Sequence, residues 1–249
     1  MLHTEGLQKS YGGLQATRGL SFEVEERCIT ALIGPNGAGK TTAFNLISGF
    51  ERPDAGRVTF RGKDITGWTP HRIATAGLAR SFQEVRIFER MTALENVMVA
   101  RPHQSGENPF LALAVPQRLR RDERLNREQA VEMLDFVGLA DKRQALAEEL
   151  SYGQQKLVSI ARMLAVGPSL MLLDEPASGL DPIIREHMVK LMKRLVEDGK
   201  SILLIEHNME IVREVADKVV FLAEGATVAS GTAEEVLADR DLARLYFGL

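Results

Sequence analysis

The run Gly34-Pro35-Asn36-Gly37-Ala38-Gly39-Lys40-Thr41-Thr42 constrains this chain more than any other stretch. It fits the pattern G-x-x-x-x-G-K-S/T, and its flanks fit as well. Ile29, Ala31, Leu32 and Ile33 form an apolar run short enough for one buried strand, and Ala43-Phe44-Asn45-Leu46-Ile47 continues as a helix until Gly49. Between strand and helix, glycines let consecutive backbone N–H groups curl around an anion, and the helix N-terminus adds partial positive charge. In that setting Lys40 would reach the β- and γ-phosphates of a nucleoside triphosphate, and the Thr41 hydroxyl would ligate Mg²⁺. The loop predicts a nucleotide site at the edge of an α/β fold.

Composition sets the outer limits. With 249 residues and 45% hydrophobic content, the chain suffices for one large α/β domain or a domain with an inserted subdomain. A net charge of −3 does not resemble a general nucleic-acid binder. The one cysteine, Cys28, excludes an internal disulfide and suits a reducing compartment. Its place at the head of the strand before the phosphate loop predicts a core position. Met1–Gly6 lacks the basic region and long apolar run of a signal peptide. No stretch approaches the roughly 20 apolar residues that cross a bilayer, so the chain is expected to be soluble and cytosolic unless a partner holds it at a membrane.

Local patterns divide the rest. Leu20, Phe22 and Val24 alternate with polar residues, and Arg57-Val58-Thr59-Phe60-Arg61 alternates again between turns at Asp54-Ala55-Gly56 and Gly62-Lys63. These predict a small antiparallel sheet beside the phosphate-loop core. From about Ile73 to Leu150 the character is helical. Thr92 and Glu95 make a capping box for a helix over Leu94–Ala100, and Asn126 with Gln129 predicts the start of another that Gly138 stops. Arg101–Arg121, with Pro102, Pro109 and Pro116, predicts mostly loop. After it, strand and helix alternate as a parallel sheet requires. The helix Gln155–Val166 precedes the strand Leu170–Leu173. Asp181-Pro182 starts a helix as N-cap and N1 proline, burying Ile184, Met188, Leu191, Met192 and Leu195. Ile202–Ile205 and Val219–Leu222 are further strands, and Thr232 with Glu235 caps a short last helix.

Chemistry gathers where those strands end. Leu170–Leu173 delivers Asp174 and Glu175 to a strand's carboxyl end, where open α/β sheets place their ligands. Asp174 would hold Mg²⁺ directly or through water, leaving Glu175 to polarise the attacking water as general base. His207, following Ile202–Ile205 and Glu206, emerges the same way and would hydrogen-bond the γ-phosphate. Leu150-Ser151-Tyr152-Gly153-Gln154-Gln155 places a serine and a glycine at a helix N-terminus, a second anion site. By composition alone that serine is an ordinary N-cap, and Gln83 is unremarkable.

Together these residues resemble the ATP-binding subunit of an ABC transporter, across essentially the whole chain. Gly34, Pro35, Asn36, Gly37, Ala38, Gly39, Lys40, Thr41 and Thr42 match its Walker A motif, and Gln83 its Q-loop. Leu150–Gln155 matches the signature, with Ser151, Gly153 and Gln154 as its nucleotide-facing members. Leu170–Glu175 matches Walker B, Ser178-Gly179-Leu180-Asp181 the D-loop, and His207 the switch histidine. Tyr11, before Gly12-Gly13, stands where the family places an aromatic that stacks on adenine.

The resemblance implies a P-loop NTPase (RecA-like) parallel sheet core with a small antiparallel β subdomain and an inserted helical subdomain. Residues 1–82 and 165–249 would make the core, and 83–164 the helical part with the signature. It implies ATP and Mg²⁺ as ligands, with Gln83 joining Thr41 and Asp174 at the metal and orienting the water. It also explains two anion sites in one chain: two subunits close head to tail, the signature of one covering the γ-phosphate held by the other. Tyr152 and Gly179 depart from the commonest pattern, which has glycine and alanine there. Neither removes a phosphate-contacting group.

Within the family, Phe82–Phe88, Met91-Thr92, Glu95-Asn96-Val97, the 101–121 insertion and Leu245-Tyr246-Phe247-Gly248 resemble the longer ATPase of high-affinity branched-chain amino acid importers. That implies two membrane-spanning permeases, a second ATPase subunit (a paralogue or a second copy), and indirectly a periplasmic substrate-binding protein. The location implied is the cytoplasmic face of the inner membrane, with Glu84–Arg90 docking on the permeases and Ile87 and Phe88 as exposed apolar contacts. Urea, amide or other amino acid import, lipid or polysaccharide export, and a soluble ABC ATPase acting on ribosomes or DNA are the competing readings. The last commonly carries two cassettes or a long coiled-coil insertion, and neither is present.

Overall fold

The computed structural model describes residues 1–102 and 116–238. The chain divides into two compact units. Among the described residues, one comprises 1–80, 168–178 and 185–238; the other comprises 81–102, 116–167 and 179–184.

In the first unit, β1 (Leu2–Tyr11), β2 (Leu14–Val24), β4 (Ala55–Phe60) and β5 (Lys63–Asp64) form an antiparallel sheet in the order β2-β1-β4-β5. Its alternating residues Leu20, Phe22, Val24, Val58 and Phe60 are all buried, as their period requires. The second sheet runs β10-β9-β3-β8-β7-β6, from β3 (Ile29–Ile33), β6 (Leu78–Arg80), β7 (Leu170–Asp174), β8 (Ser201–Ile205), β9 (Lys218–Ala223) and β10 (Ala226–Thr232). Every residue of β3, β7 and β8 is buried, the mark of central parallel strands covered on both faces. Leu32, Leu172, Leu203 and Val220 join one core with Phe44 of helix α1 (Lys40–Ile47). Ala31, Ile33, Val219 and Phe221 point the other way, into a second core with Val212. Burying a side chain such as Phe44 contributes about 1.5–3 kcal/mol.

In the second unit, the helices Ala93–Val99, Pro116–Phe136 and Tyr152–Ala165 pack on one another. Asn96 is fully buried. Its amide oxygen accepts from the Phe88 N–H at 2.8 Å, and its NH₂ donates to the Phe88 and Thr92 carbonyls, tying the segment before the helix to the helix itself.

Several local expectations need correction. Pro116–Arg121 is helical, not loop, and the helix begins there, ten residues before Asn126. Proline suits a first helical turn because its missing N–H has no partner to lose. Asn126 is buried mid-helix, where its Nδ2 donates to the Met98 carbonyl at 3.3 Å, a tertiary role that resembles a cap in sequence. The rest of the 101–121 insertion between 103 and 115, and the ending Leu245–Gly248, lie outside the described residues. Leu78–Arg80, within the stretch expected to be helical, is a strand pairing parallel with β7; three residues are too few for a period to show. The last strand, β10, runs antiparallel to β9 and makes that sheet mixed. Cys28 precedes β3 and is only half-buried, since the strand's buried run begins at Ile29. The helix expected from Gln155 begins at Tyr152.

Candidate functional site

The parallel sheet sets the site. Leu32 of β3 and Asp174 of β7 both pair with Ile205 of β8, so three adjacent strands end at one level. Their next residues are Ile33-Gly34, Glu175 and Glu206-His207. Open α/β sheets bind ligands outside these carboxyl ends.

The loop after β3 leaves no room for side chains at its two ends. A Cβ on Gly34 would lie 2.1 Å from the Leu222 carbonyl oxygen, and one on Gly39 would lie 2.5 Å from that of Ala16. Gly39 also has φ +99° and is the N-cap of α1, with no side chain capping it. The first N–H groups of α1 therefore have no side-chain acceptor at the N-cap. Lys40 is buried and its ammonium donates to the Gly34 and Pro35 carbonyls at 2.8 and 2.9 Å, folded back along its own loop. Burial pushes its pKa down, against the pull of Glu175 and Asp174. Thr41 is exposed and Thr42 half-buried at the same helix start.

Glu175 follows β7 in a left-handed conformation, φ +48°, which a glutamate adopts at a cost of about 1–3 kcal/mol. Its N–H donates to the Ile205 carbonyl at 2.9 Å, and its Oε1 lies 3.1 Å from His207 Nε2. The strained turn thus aims its carboxylate at the imidazole. Asp174 is buried, and burial pushes its pKa up, opposed chiefly by Arg80. Arg80, at the end of β6, places Nη2 3.9 Å from Asp174 Oδ2, while Nη1 donates to Asn45 Oδ1 at 2.7 Å and Ser48 Oγ at 2.9 Å. It lies over the Phe44 and Phe50 rings as well. Sequence reading assigned Arg80 no role; its partners are spread over positions 44–50 and 174, with no local signal.

Glu206 was missed too. It is 3% exposed, and its Oε1 accepts from the N–H groups of His207 (3.0 Å) and Asn208 (3.2 Å). Its Oε2 is buried with no partner, and burial pushes its pKa up. Tyr11 is close to half exposed. Its hydroxyl bonds to Glu51, and its pKa is pushed up to about 12 by desolvation first and Glu51 next, with Thr42 acting in the opposite sense.

The first unit thus brings together Gly34–Thr42, Asp174, Glu175, His207 and Tyr11. The second carries the remaining candidates. Gln83 is exposed just after β6. Ser151 is the N-cap of Tyr152–Ala165 in a capping box: its Oγ accepts from the Gln154 N–H at 3.3 Å, and Gln154 Oε1 accepts from the Ser151 N–H at 3.0 Å. Asp181 Oδ1 accepts from the Ile183 and Ile184 N–H groups at 3.0 Å each, capping its own helix.

A parallel sheet with a glycine-lined loop, a lysine along it, and an Asp-Glu and a histidine on adjoining strand ends defines a phosphate-loop nucleotide-binding protein. The comparisons narrow the class. The description "ABC transporter" matches residues 17–178. The chain is 39% identical over 249 residues to the high-affinity branched-chain amino acid transport ATP-binding protein BraF of Pseudomonas aeruginosa, covering 100% of this chain and 98% of the relative. It is 38% identical to LivG of Salmonella typhimurium, described in the same words, with the same coverage. A nucleotide-free ATP-binding cassette from an ABC transporter has a TM-score of 0.86 at 34% identity, over 99% of this chain and 98% of that one. A dimeric ATP-binding cassette in a post-hydrolysis state, bound to ADP and Pi, has a TM-score of 0.77 at 26% identity, over 94% and 99%. The chain belongs to the ABC transporter family. Among its described residues, no helix is long and apolar enough to cross a membrane.

Proposed function

We propose that this chain is the ATP-hydrolysing subunit of an ABC importer that takes up branched-chain amino acids. The observation that carries the hydrolytic part is the Glu175–His207 pair at 3.1 Å, on strand ends that adjoin those bearing Lys40 and Asp174. The solute rests on relatives matched over the full chain, which are branched-chain amino acid transport proteins by name. The site residues are Tyr11 against the adenine, Gly34–Thr42 around the phosphates, and Gln83, Glu175 and His207 in the chemistry. Residues 83–164 act as the helical subdomain, and Ser151, Gly153, Gln154 and Asp181 meet the nucleotide held by a second ATPase subunit.

The donor set fits Mg²⁺. Thr41 offers a neutral oxygen at the start of α1, and Asp174 is a buried carboxylate whose pKa is raised by desolvation, opposed chiefly by Arg80; on the proposed reading Gln83 adds its amide oxygen. No group of three or more acidic, histidine or cysteine side chains placed to hold a metal ion by themselves is present among the described residues. That suits an ion that keeps waters and shares nucleotide oxygens. When bound, Mg²⁺ would neutralise charge on the β- and γ-phosphates.

On this reading the protein's own steps are these. Lys40 exchanges its loop carbonyls for phosphate oxygens. Glu175 accepts a proton from water as the water oxygen bonds to the γ-phosphorus, and the bond to the bridging oxygen breaks toward ADP. His207, which meets Glu175 through Nε2 in the free chain, gives that N–H to a γ-phosphate oxygen when nucleotide is bound. Gln83 orients the water.

Glu175→Gln should bind ATP normally and turn over roughly 10²–10⁴-fold more slowly, the usual worth of a general base; wild-type turnover in that variant removes Glu175 from the role. Purification from gently solubilised membranes tests the transport part. Recovery of two multi-spanning permeases and a second small ATPase, on the cytoplasmic face of the inner membrane, supports the importer. Ribosomes or nucleic acid in their place overturn it.

A further inference from the structure

The two departures from the common family pattern, Tyr152 in the signature and Gly179 in the D-loop, lie against each other. A Cβ on Gly179 would meet Tyr152 Cε1 at 3.4 Å, so the ring covers the face of the turn that glycine leaves bare. Gly179 has φ +72°, a backbone that favours glycine. The neighbouring residues interlock in the same way. A Cβ on Gly153 would lie 2.8 Å from Ile184 Cγ2 and 3.4 Å from Leu180 Cδ2, so the signature backbone sits directly on D-loop side chains. Lys156, one turn on and buried, places its ammonium 5.2 Å from the centre of the Tyr152 ring and holds the ring from its own helix.

The division of the chain agrees with this packing. Gly179–Ile184 belongs to the same compact unit as the signature helix, although 168–178 before it and the residues after it belong to the other. Only Pro176, Ala177 and Ser178 separate Gly179 from Glu175, and Ser178 N–H donates to the Glu175 carbonyl at 3.2 Å.

We propose that Tyr152 is a positioning residue that makes the signature motif and the D-loop of one chain a single piece. The ring fixes the turn at Gly179, and the turn fixes the backbone leading to the Glu175 carboxylate. A signature helix engaged by nucleotide therefore acts on Glu175 of its own chain through the D-loop. The catalytic consequence rests on the ATPase reading above; the packing does not.

Hydrogen exchange and steady-state hydrolysis on Tyr152→Ala and Tyr152→Phe test this in the full-length protein. Alanine removes the ring without weakening the helix, and a ring that is 46% exposed is not part of the buried core. In Tyr152→Ala the amides of Gly179, Leu180, Ile183 and Ile184 should exchange on the order of five- to tenfold faster, while those of β8 stay unchanged. The kcat for ATP should fall on the order of tenfold with KM unchanged, the signature of a contribution made after binding. Tyr152→Phe, which keeps the ring, should restore both. Unchanged exchange at those four amides in Tyr152→Ala overturns the proposal. A wild-type chain that fails to hydrolyse ATP instead defeats the ATPase reading, and the exchange result still decides the packing.

Discussion

Two helix starts in this molecule carry residues suited to an anion, and they are built in opposite ways. At Lys40–Ile47 the N-cap is Gly39, no side chain caps the end, and Lys40 occupies the loop carbonyls. At Tyr152–Ala165 Ser151 and Gln154 satisfy each other's N–H groups in a closed capping box. The first end leaves its backbone donors for a ligand. The second has already paired two of its N–H groups with side chains, and a phosphate taking Ser151 would displace a cap worth about 0.5–2 kcal/mol. A complete site suits the first design. A half-site, engaged only when another subunit presents a nucleotide, suits the second, as the proposed head-to-tail pairing requires.

The sharpest way to break that contrast is to add one methyl to each end. Gly39→Ala forces a Cβ to 2.5 Å from the Ala16 carbonyl at a left-handed backbone. Strain of about 1–3 kcal/mol, with the clash added, predicts ATP affinity weakened by roughly 10²-fold. Gly153→Ala meets a side-chain methyl, Ile184 Cγ2, at 2.8 Å instead of a backbone carbonyl, and its φ is not positive. It should cost about 1–3 kcal/mol of stability by overpacking and leave ATP affinity of the isolated chain unchanged. Equal losses of affinity in the two variants, read by nucleotide titration, would show that the two ends do not differ as described.

The contrast also marks what the sequence made legible. The bounds of β3 and α1, the strand-end positions of Asp174, Glu175 and His207, and the capping boxes at Thr92 and Thr232 are local matters of period and cap chemistry. They read directly. Arg80 did not, because the strand that places it is three residues long and its partners Asn45, Ser48 and Asp174 are remote in sequence. Glu206 was given no role beside His207, and only the fold buries it. Tyr152 and Gly179 were visible as two separate departures from a pattern. Their contact depends on the packing of segments far apart in the chain.

Removing the cap tests the second end. Ser151→Ala should destabilise the chain by about 0.5–2 kcal/mol, a fall in melting temperature of roughly 2–4 °C for each kcal/mol in a chain of this size. ATP binding by the isolated chain should not change. On the proposed pairing, Ser151→Ala abolishes hydrolysis that depends on the partner, and mixing it with a Lys40→Ala chain regenerates one intact site per mixed dimer. No recovery of hydrolysis in verified mixed dimers would reject the pairing in trans. Recovery with unaltered stability would mean that the capping box contributes nothing to the fold, and the contrast between the two ends would lose its energetic side.

A third helix start refines the comparison with a smaller effect. Asn208 caps Met209–Val215, accepting from the Glu210 and Ile211 N–H groups, while Glu206 takes the N–H groups of His207 and Asn208. Here side chains satisfy the donors, as at Ser151, but one acceptor is a buried carboxylate whose pKa is raised, by desolvation first, with Glu175 adding to it. A raised folded-state pKa contributes stability that is fully present below the ordinary carboxylate value and lost as pH rises through the folded value. Wild-type stability should therefore decline across that window relative to Glu206→Gln, which keeps an oxygen acceptor and does not ionise. Asp174 shifts in the same direction but is common to both proteins and cancels. Melting temperatures of the pair, measured from about pH 4 to pH 7, should diverge in favour of the variant toward neutral pH. Parallel curves would mean that Glu206 titrates normally, and that this end of β8 is satisfied without the strain of a buried charge.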